Sequence, residues 1–499
     1  MALRLSLLPE PQLEFGSARD VRVKEGLTHG GPFSLNLGPA HPSSARIGLV
    51  GTRAAVCATR TFLERMQGRV VTGKPPSLLN PDFPGFERVF STELALDPRW
   101  IKEIPDASFA AAMDEPAEKA FITCLRLWSS AVHELAERDI PPSTIICCLP
   151  QQLLDHCRTI ERDRADAPDK PRARRRAPAS AFVQPSLFDA LPRESIEGAS
   201  SSSVEDLMSR DFRRALKAAA MDVGTPVPIQ LVTPSLFEEG HQRQQDPATR
   251  SWNLGVGVFY KVGGIPWRLS PTSDQTCFVG ISFHHLRTTK RHLVYSSLAQ
   301  AFSSEGDGFA LRGEAVPYDQ EKRSVHLDKP QTERLLRQVL AGYRDRTGRD
   351  PLRVVLHKSS AFDPEEMEGA STALVAVPSW EAITLRTGEF RLIRQGAYPP
   401  NRGMHCQLGE ANFLFTTGYS PLRETYRGPH IPKPLELVAD SQDYEALASE
   451  ILGLTKMNWN SADDHGSFPI TLAFARKVGA IMTEIPDDRT PLPGYRYYM

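Results

Sequence analysis

Between residues 44 and 270, short continuous apolar runs alternate with stretches of helical spacing. Arg46–Gly51 (RIGLVG) reads as a buried strand, and Ala54–Met66 as the helix that follows it. Asp114 and Pro116 form a helix entry, with proline near the first turn. Phe121, Leu125, Trp128, Val132 and Leu135 then follow at spacings of 4, 3, 4 and 3, which predicts one apolar helical face. Ser143–Leu149 (STIICCL) is β-branched and too short for a helix, so it reads as a second buried strand. The helix Asp211–Met221, the strand Pro226–Val232 and a helical stretch leading into Trp252–Leu269 continue the alternation.

From Cys277 the texture becomes that of β-hairpins: CFVGISF, HLVYSSLAQAF and FALRGEAV. A helix is predicted over Thr332–Arg346, with Leu335, Leu336, Val339, Leu340 and Tyr343 on one face. The strand Leu352–His357 and further strands to about residue 417 come next, and two helices, Asp443–Leu452 and Ile470–Met482, close the chain. Three hairpin strands, a helix, a strand and terminal helices are the order of an RNase H-like fold. Residues 1–40 alternate apolar and polar positions around Pro and Gly and read as short strands that need a partner surface.

Composition narrows this α/β picture. The chain has 499 residues, room for two or three domains, with 40% hydrophobic and 24% charged residues. No apolar run approaches the roughly 18 residues of a membrane span, and the N-terminus lacks the layout of a secretory signal. Seven cysteines without a C-x-x-C pair suggest neither a disulfide framework nor a zinc site, and fit buried thiols in a reducing cytoplasm. A net charge of −1 excludes a uniformly basic coat but leaves room for a local basic channel. Residues 160–205, with DKPRARRRAPAS and the four serines Ser200–Ser203, are too polar to order themselves and read as a disordered insertion. The basic cluster Arg172, Arg174, Arg175 and Arg176 within it reads as a solvated linker.

Six segments then occur in a telling order: NLGVGVFYKVGGIPWRL (253–269), CFVGISF (277–283), RVVLHKSS (353–360), GAYPPNRG (396–403), LFTTGYSPLRETYRGPHIPKPLEL (414–437) and LTKMNWNSADDHGSFPITLAFARKVGAIM (454–482). Together they resemble the PIWI domain of short prokaryotic Argonautes, with a weaker resemblance to the MID domain over 40–160. The resemblance implies a Rossmann-like MID domain over 41–265 and an RNase H-like PIWI domain over 266–499. Residues 1–40 are then a candidate docking segment for a protein partner.

The resemblance also implies a pocket for a guide's 5′-phosphate. Arg213 and Lys217 sit four apart on DFRRALKAAAM, Gln230 follows in the next strand, and Lys261 precedes Gly263-Gly264 in KVGG. Two cations offset phosphate charge, Arg213 can fork onto two oxygens and Gln230 can donate through its amide. Taken alone, Arg213 and Lys217 also suit the exposed side of an amphipathic helix. Arg213 stands where the family carries an aromatic residue, which leaves Phe212 as the candidate for stacking on the first base. The family brings its C-terminal carboxylate into this pocket, so Met499 is expected to share Mg²⁺ with the phosphate.

An RNase H-like nuclease holds two Mg²⁺ about 4 Å apart with a cluster of carboxylates. At the family's carboxylate positions this chain has Ser282, Ser359 and, near the last, Arg476. Neutral hydroxyls cannot compensate divalent cations and a guanidinium repels them, so the expectation is a protein that does not cut. Lys456, Asn458, Asn460, Arg476 and Lys477, with Arg287 and Lys290, are expected to contact the guide and target backbone without reading sequence. His284, His285 and His292 near Asp274 could suggest another metal site, but beside Arg287, Lys290 and Arg291 they fit a phosphate-contacting or solvated hairpin better.

The function implied is a guide-RNA-binding subunit of a prokaryotic immune system. It would recognise complementary single-stranded DNA of plasmids or phages and activate an APAZ-containing effector, a TIR or sirtuin-like NADase or a nuclease, as a cytoplasmic heterodimer. A rival is an RNase H-like nuclease with a rearranged carboxylate set such as Asp274, Glu314, Asp363 and Glu365. A second rival is an α/β module for a small metabolite.

Overall fold

The computed structural model describes residues 3–73, 80–161, 209–237, 245–270, 275–287, 292–302, 308–317, 325–394, 399–426, 431–441, 443–486 and 489–499. The expected insertion therefore lies outside the described residues, apart from its first two positions.

The chain opens with β1 (Leu3–Leu7), two short strands and the helix α1 (Val23–Gly30). The helix corrects the all-strand reading of 1–40: Val23 and Leu27, four apart, are both fully buried and supply a helical face that a period of two hides. This segment is built into the body of the protein, since β1 joins the large sheet described below and Leu13–Glu14 pairs with Arg268–Leu269.

The strand β2 (Ser44–Thr52) and the helix α2 (Arg53–Gln67) follow as expected, then β3 (Glu93–Ala95) and β4 (Ile101–Ile104). The helix α3 (Ala117–Ala136) starts after Pro116 at the N-cap position; Asp114 instead ends the preceding short helix. Next come β5 (Thr144–Cys148), α4 (Phe212–Ala220), β6 (Ile229–Val232) and α5 (Pro247–Lys261). These strands form a parallel sheet ordered β6-β5-β2-β3, with β4 also on β2. Order and direction are those of a Rossmann-like, doubly wound layer.

The second layer begins with the long hairpin β7 (Thr276–Arg287) and β8 (His292–Phe302), followed by β9 (Ala310–Pro317) and α6 (Lys329–Thr347). Then come β10 (Arg353–Lys358), α7 (Pro364–Ala373), β11 (Ser379–Thr387), β12 (Met404–Leu408), β13 (Ala411–Leu414), β14 (Leu435–Ala439), α8 (Tyr444–Leu454) and α9 (Ile470–Met482). The nine strands run β1-β12-β13-β14-β11-β10-β7-β8-β9. Three antiparallel strands with β10 and β11 added in parallel make the RNase H-like core.

The two layers share one apolar core. Leu49 and Ile146 of the first sheet, Trp252, Val256 and Phe259 of α5, Phe474 and Val478 of α9, and Tyr498 and Met499 all belong to it. Every residue of α5 from Ala248 to Lys261 is buried, so this helix is interior rather than amphipathic. Lys261 is thereby carried into the junction of the two layers.

Candidate nucleic-acid interface

The first turn of α4 is set by Asp211, whose carboxylate accepts the amides of Arg213 at 3.0 Å and Arg214 at 3.2 Å. Two turns along, Lys217 donates from Nζ to the carbonyl of Tyr498 at 3.0 Å and to the main-chain oxygen of Met499 at 2.5 Å. The C-terminal tail is therefore docked, with Tyr495, Tyr498 and Met499 all buried. The Tyr498 hydroxyl donates to the Leu492 carbonyl at 2.7 Å within the tail, and the Ala310 amide donates to the Pro493 carbonyl at 2.8 Å.

Beside this contact lies Lys261, only 1% exposed, and its Nζ has no hydrogen-bond partner among the described residues. Burial, then the charges of Lys217 and Lys477, hold its pKa well below the ordinary lysine value. A buried ammonium without an acceptor is costly, and an arriving anion removes that cost. One turn earlier on α5, Gly257 leaves a gap: a Cβ there would stand 3.8 Å from Gln230 Oε1 and 3.9 Å from Asn460 Oδ1. Gln230 is 5% exposed, and that Oε1 is buried without a donor. The junction thus gathers Lys217, Lys261, Lys477, Gln230, Asn460 and the main-chain oxygen of Met499.

Arg213, one turn before Lys217 on α4, lies beside Arg158; burial and then the Arg158 charge lower its pKa. Its Nε is buried and unbonded. Phe212 cannot stack on a base: it is fully buried, edge-on to Phe121 at 5.5 Å and to Trp128 at 6.2 Å. Lys477, expected on the backbone groove, instead joins the pocket electrostatically, a placement that no spacing in the sequence signals.

Lys456 does not face a groove. It is 1% exposed, and its Nζ donates to Glu10 at 2.6 Å and to the Val21 carbonyl at 2.6 Å. Arg402 reaches the same Glu10 carboxylate at 3.1 Å. Asn458 holds its own turn by accepting the Asn460 amide at 3.2 Å. The side chains of Arg287, Arg476, His284, His285 and His292, and all of Lys290, Arg291 and Asp274, lie outside the described residues.

Ser282, inside β7, and Ser359, just past the end of β10, come next after the last pair between those strands, Ile281↔Lys358. Lys358, 1% exposed, holds Glu366 at 2.5 and 2.7 Å and lies over the rings of Phe283 and Phe362 at 5.1 and 5.4 Å. On the other side, His357 Nδ1 meets Thr471 Oγ1 of α9 at 2.8 Å, and burial lowers the His357 pKa to about 3, so the ring is neutral. Of the rival carboxylates, Glu314 is paired with Arg334 at 2.6 and 2.7 Å, while Asp363 caps α7. Among the described residues no three His, Cys, Asp or Glu side chains are placed to share a metal.

No family model and no curated protein matches the chain. Solved structures do. Clostridium butyricum Argonaute bound to a guide DNA and a 19-mer target DNA is similar with a TM-score of 0.64 at 13% identity, over 98% of this chain and 54% of that one. Its fold is Argonaute-like. Aa-Ago with externally bound siRNA is similar with a TM-score of 0.57 at 14% identity, over 99% of this chain and 56% of that one. Drosophila Piwi gives a TM-score of 0.56 at 11% identity, over 99% and 56%. The chain spans about half the length of these Argonautes. In their terms the parallel layer is MID-like, the nine-stranded layer PIWI-like, and the lysine pocket lies where the two meet.

The state of Lys261 makes a prediction. In the unfolded chain its amine is protonated near neutral pH, whereas the fold holds its pKa down. The unfolded state then binds more protons between the two values, and stability rises with pH across that interval. Lys261→Met, in protein stripped of nucleic acid, is expected to raise the melting temperature at neutral pH and flatten this rise. A lower melting temperature with an unchanged slope would contradict a desolvated ammonium.

Proposed function

We propose that this chain binds the 5′-phosphorylated end of a guide RNA and uses the guide to recognise complementary single-stranded DNA without cutting it. The observation that carries the reading is Lys261: a buried lysine whose Nζ has no hydrogen-bond partner among the described residues, flanked by Lys217 and Lys477, beside Met499. Such a site is short of negative charge, and a terminal phosphate brings two charges and several acceptors. Lys217 and Lys261 take the phosphate, Gln230 turns its amide so that Nε2 leaves the Leu231 carbonyl and donates to the phosphate, and Arg213 with Arg158 adds positive charge beside it. Mg²⁺ is held between the Met499 carboxylate and the phosphate, offsetting their mutual repulsion. The guide's bases supply specificity, while the protein senses the backbone and the shape of the duplex.

Support for the absence of cleavage is chemical. Ser282 and Ser359 offer hydroxyls in place of carboxylates, and Glu366 is already neutralised by Lys358, the residue before Ser359. The reading extends to a cytoplasmic prokaryotic defence role, in which target recognition on plasmid or phage DNA activates an APAZ-containing effector, a TIR or sirtuin-like NADase or a nuclease, bound as a heterodimer. Purified protein is expected to carry short RNA, and guide with labelled complementary DNA in Mg²⁺ is expected to give binding but intact target. Target cleavage that is abolished by chelation would establish the nuclease alternative, and protein that never retains nucleic acid would remove the whole reading.

A further inference from the structure

Among the described residues, strand β1 is the outermost strand of the nine-stranded sheet and pairs on one side only, with β12. The Leu8 amide donates to Gly403 at 2.9 Å, just beyond the pair Leu7↔Met404. Antiparallel ladders alternate bonded and non-bonded pairs. Counting back from Leu8, the backbone groups of Ser6 and Arg4 therefore turn toward β12, and those of Leu3, Leu5 and Leu7 turn to the open edge. The same three leucine side chains share one face of the strand and are 49, 51 and 53% exposed. Protein edges are normally blunted by proline, a bulge or charge. None of these interrupts the leucine face of β1, since Arg4, its one charged residue, points to the opposite face.

We propose that this edge is a homodimer contact, in which β1 of a second copy pairs antiparallel about a two-fold axis at Leu5. The sequence Leu-Arg-Leu-Ser-Leu is compatible with its own reverse. Leu5 meets Leu5 of the second copy, and Leu3 meets its Leu7. All three pairs are of the bonded kind, because the outward-facing backbone groups belong to these residues. Directly opposed side chains share a face, so the leucines form one continuous stripe across the two-fold. On the other face Arg4 lies opposite Ser6 of the second copy, and like charges never oppose one another. A copy of the chain thus satisfies backbone, apolar face and charge together, and joins two nine-stranded sheets into one. The contact is small by the standard of stable dimers, so its strength is expected to be roughly micromolar.

The test is the mass of the full chain in solution from about 1 to 100 µM. A shift from monomer toward dimer is expected. Leu5→Pro should stay monomeric over the same range, at least a tenfold loss of affinity, with its melting temperature unchanged. Proline removes an N–H that faces the open edge and leaves the bonds to β12 intact. Leu5→Cys in a Cys57→Ser background should be captured as a dimer by a short bis-maleimide. A monomer at every concentration overturns the proposal, as does a Leu5→Pro variant that dimerises like the parent or an assembly that needs another polypeptide.

Discussion

Replacing Lys217 and Lys261 together by alanine is expected to strip the protein of its co-purifying RNA. Hydrogen bonds to charged groups each contribute about 1.5–3 kcal/mol, so two lost cations weaken guide binding by roughly 10² to 10⁴-fold. The two residues should fail in different ways. Lys217 already holds the main-chain oxygen of Met499 at 2.5 Å, so Lys217→Ala is also expected to loosen the tail and with it the proposed Mg²⁺ ligand. Lys261 has no protein partner to release, and Lys261→Ala removes a buried cost from the empty protein while removing affinity from the loaded one. Filter binding with a labelled guide, run beside thermal melting of the empty proteins, separates these effects. Guide retained by the double variant at parental affinity would place the phosphate elsewhere.

The second large effect concerns stability. Glu10 sits between Lys456 and Arg402, both 1% exposed, and ties the N-terminal segment to the PIWI-like layer. Removing one partner of a buried pair leaves uncompensated charge and costs about 3–5 kcal/mol. Glu10→Ala leaves two cations facing each other and is expected to fall in that range, read as a lower urea midpoint. The pH dependence has a definite sign. Burial alone would raise the Glu10 pKa, but the charges of Arg402 and Lys456 outweigh it and hold the carboxyl at about 2, against an ordinary 4.5. Asp464, ion-paired with Arg423, is likewise held at about 2 from an ordinary 3.8. Both depressed carboxylates contribute stability that is present above their ordinary values and is lost as pH falls toward 2. Unfolding in that window, moved upward by Glu10→Ala, is the expected result. An acid profile unchanged by the substitution would contradict it.

Much of the fold was legible because its apolar pattern is local. Arg46–Gly51, Ser143–Leu149 and Ile470–Met482 each carry a run or period that one element type satisfies, and the structure places those elements there. The short elements were hidden, since β3, β4 and α7 are fixed by neighbours rather than by their own periodicity. The pocket residues Lys217, Gln230 and Lys261 could be named from motif order. What spacing could not convey is burial. Lys456 and Lys477 look alike in sequence, yet one is consumed by Glu10 and the other stands near Lys261. Phe212 next to Arg213 suggested a stacking ring, whereas the ring is packed edge-on against Phe121 and Trp128. A charge that is spent on a distant residue leaves no trace in the local sequence.

The most direct measurement compares one RNA guide with a 5′-phosphate and with a 5′-hydroxyl, binding to the same protein in Mg²⁺. Tighter binding of the phosphorylated end by at least tenfold is expected, with the preference erased in the Lys217→Ala, Lys261→Ala protein. Equal affinity for the two ends would mean that the buried lysines at the junction of the layers serve some other anion.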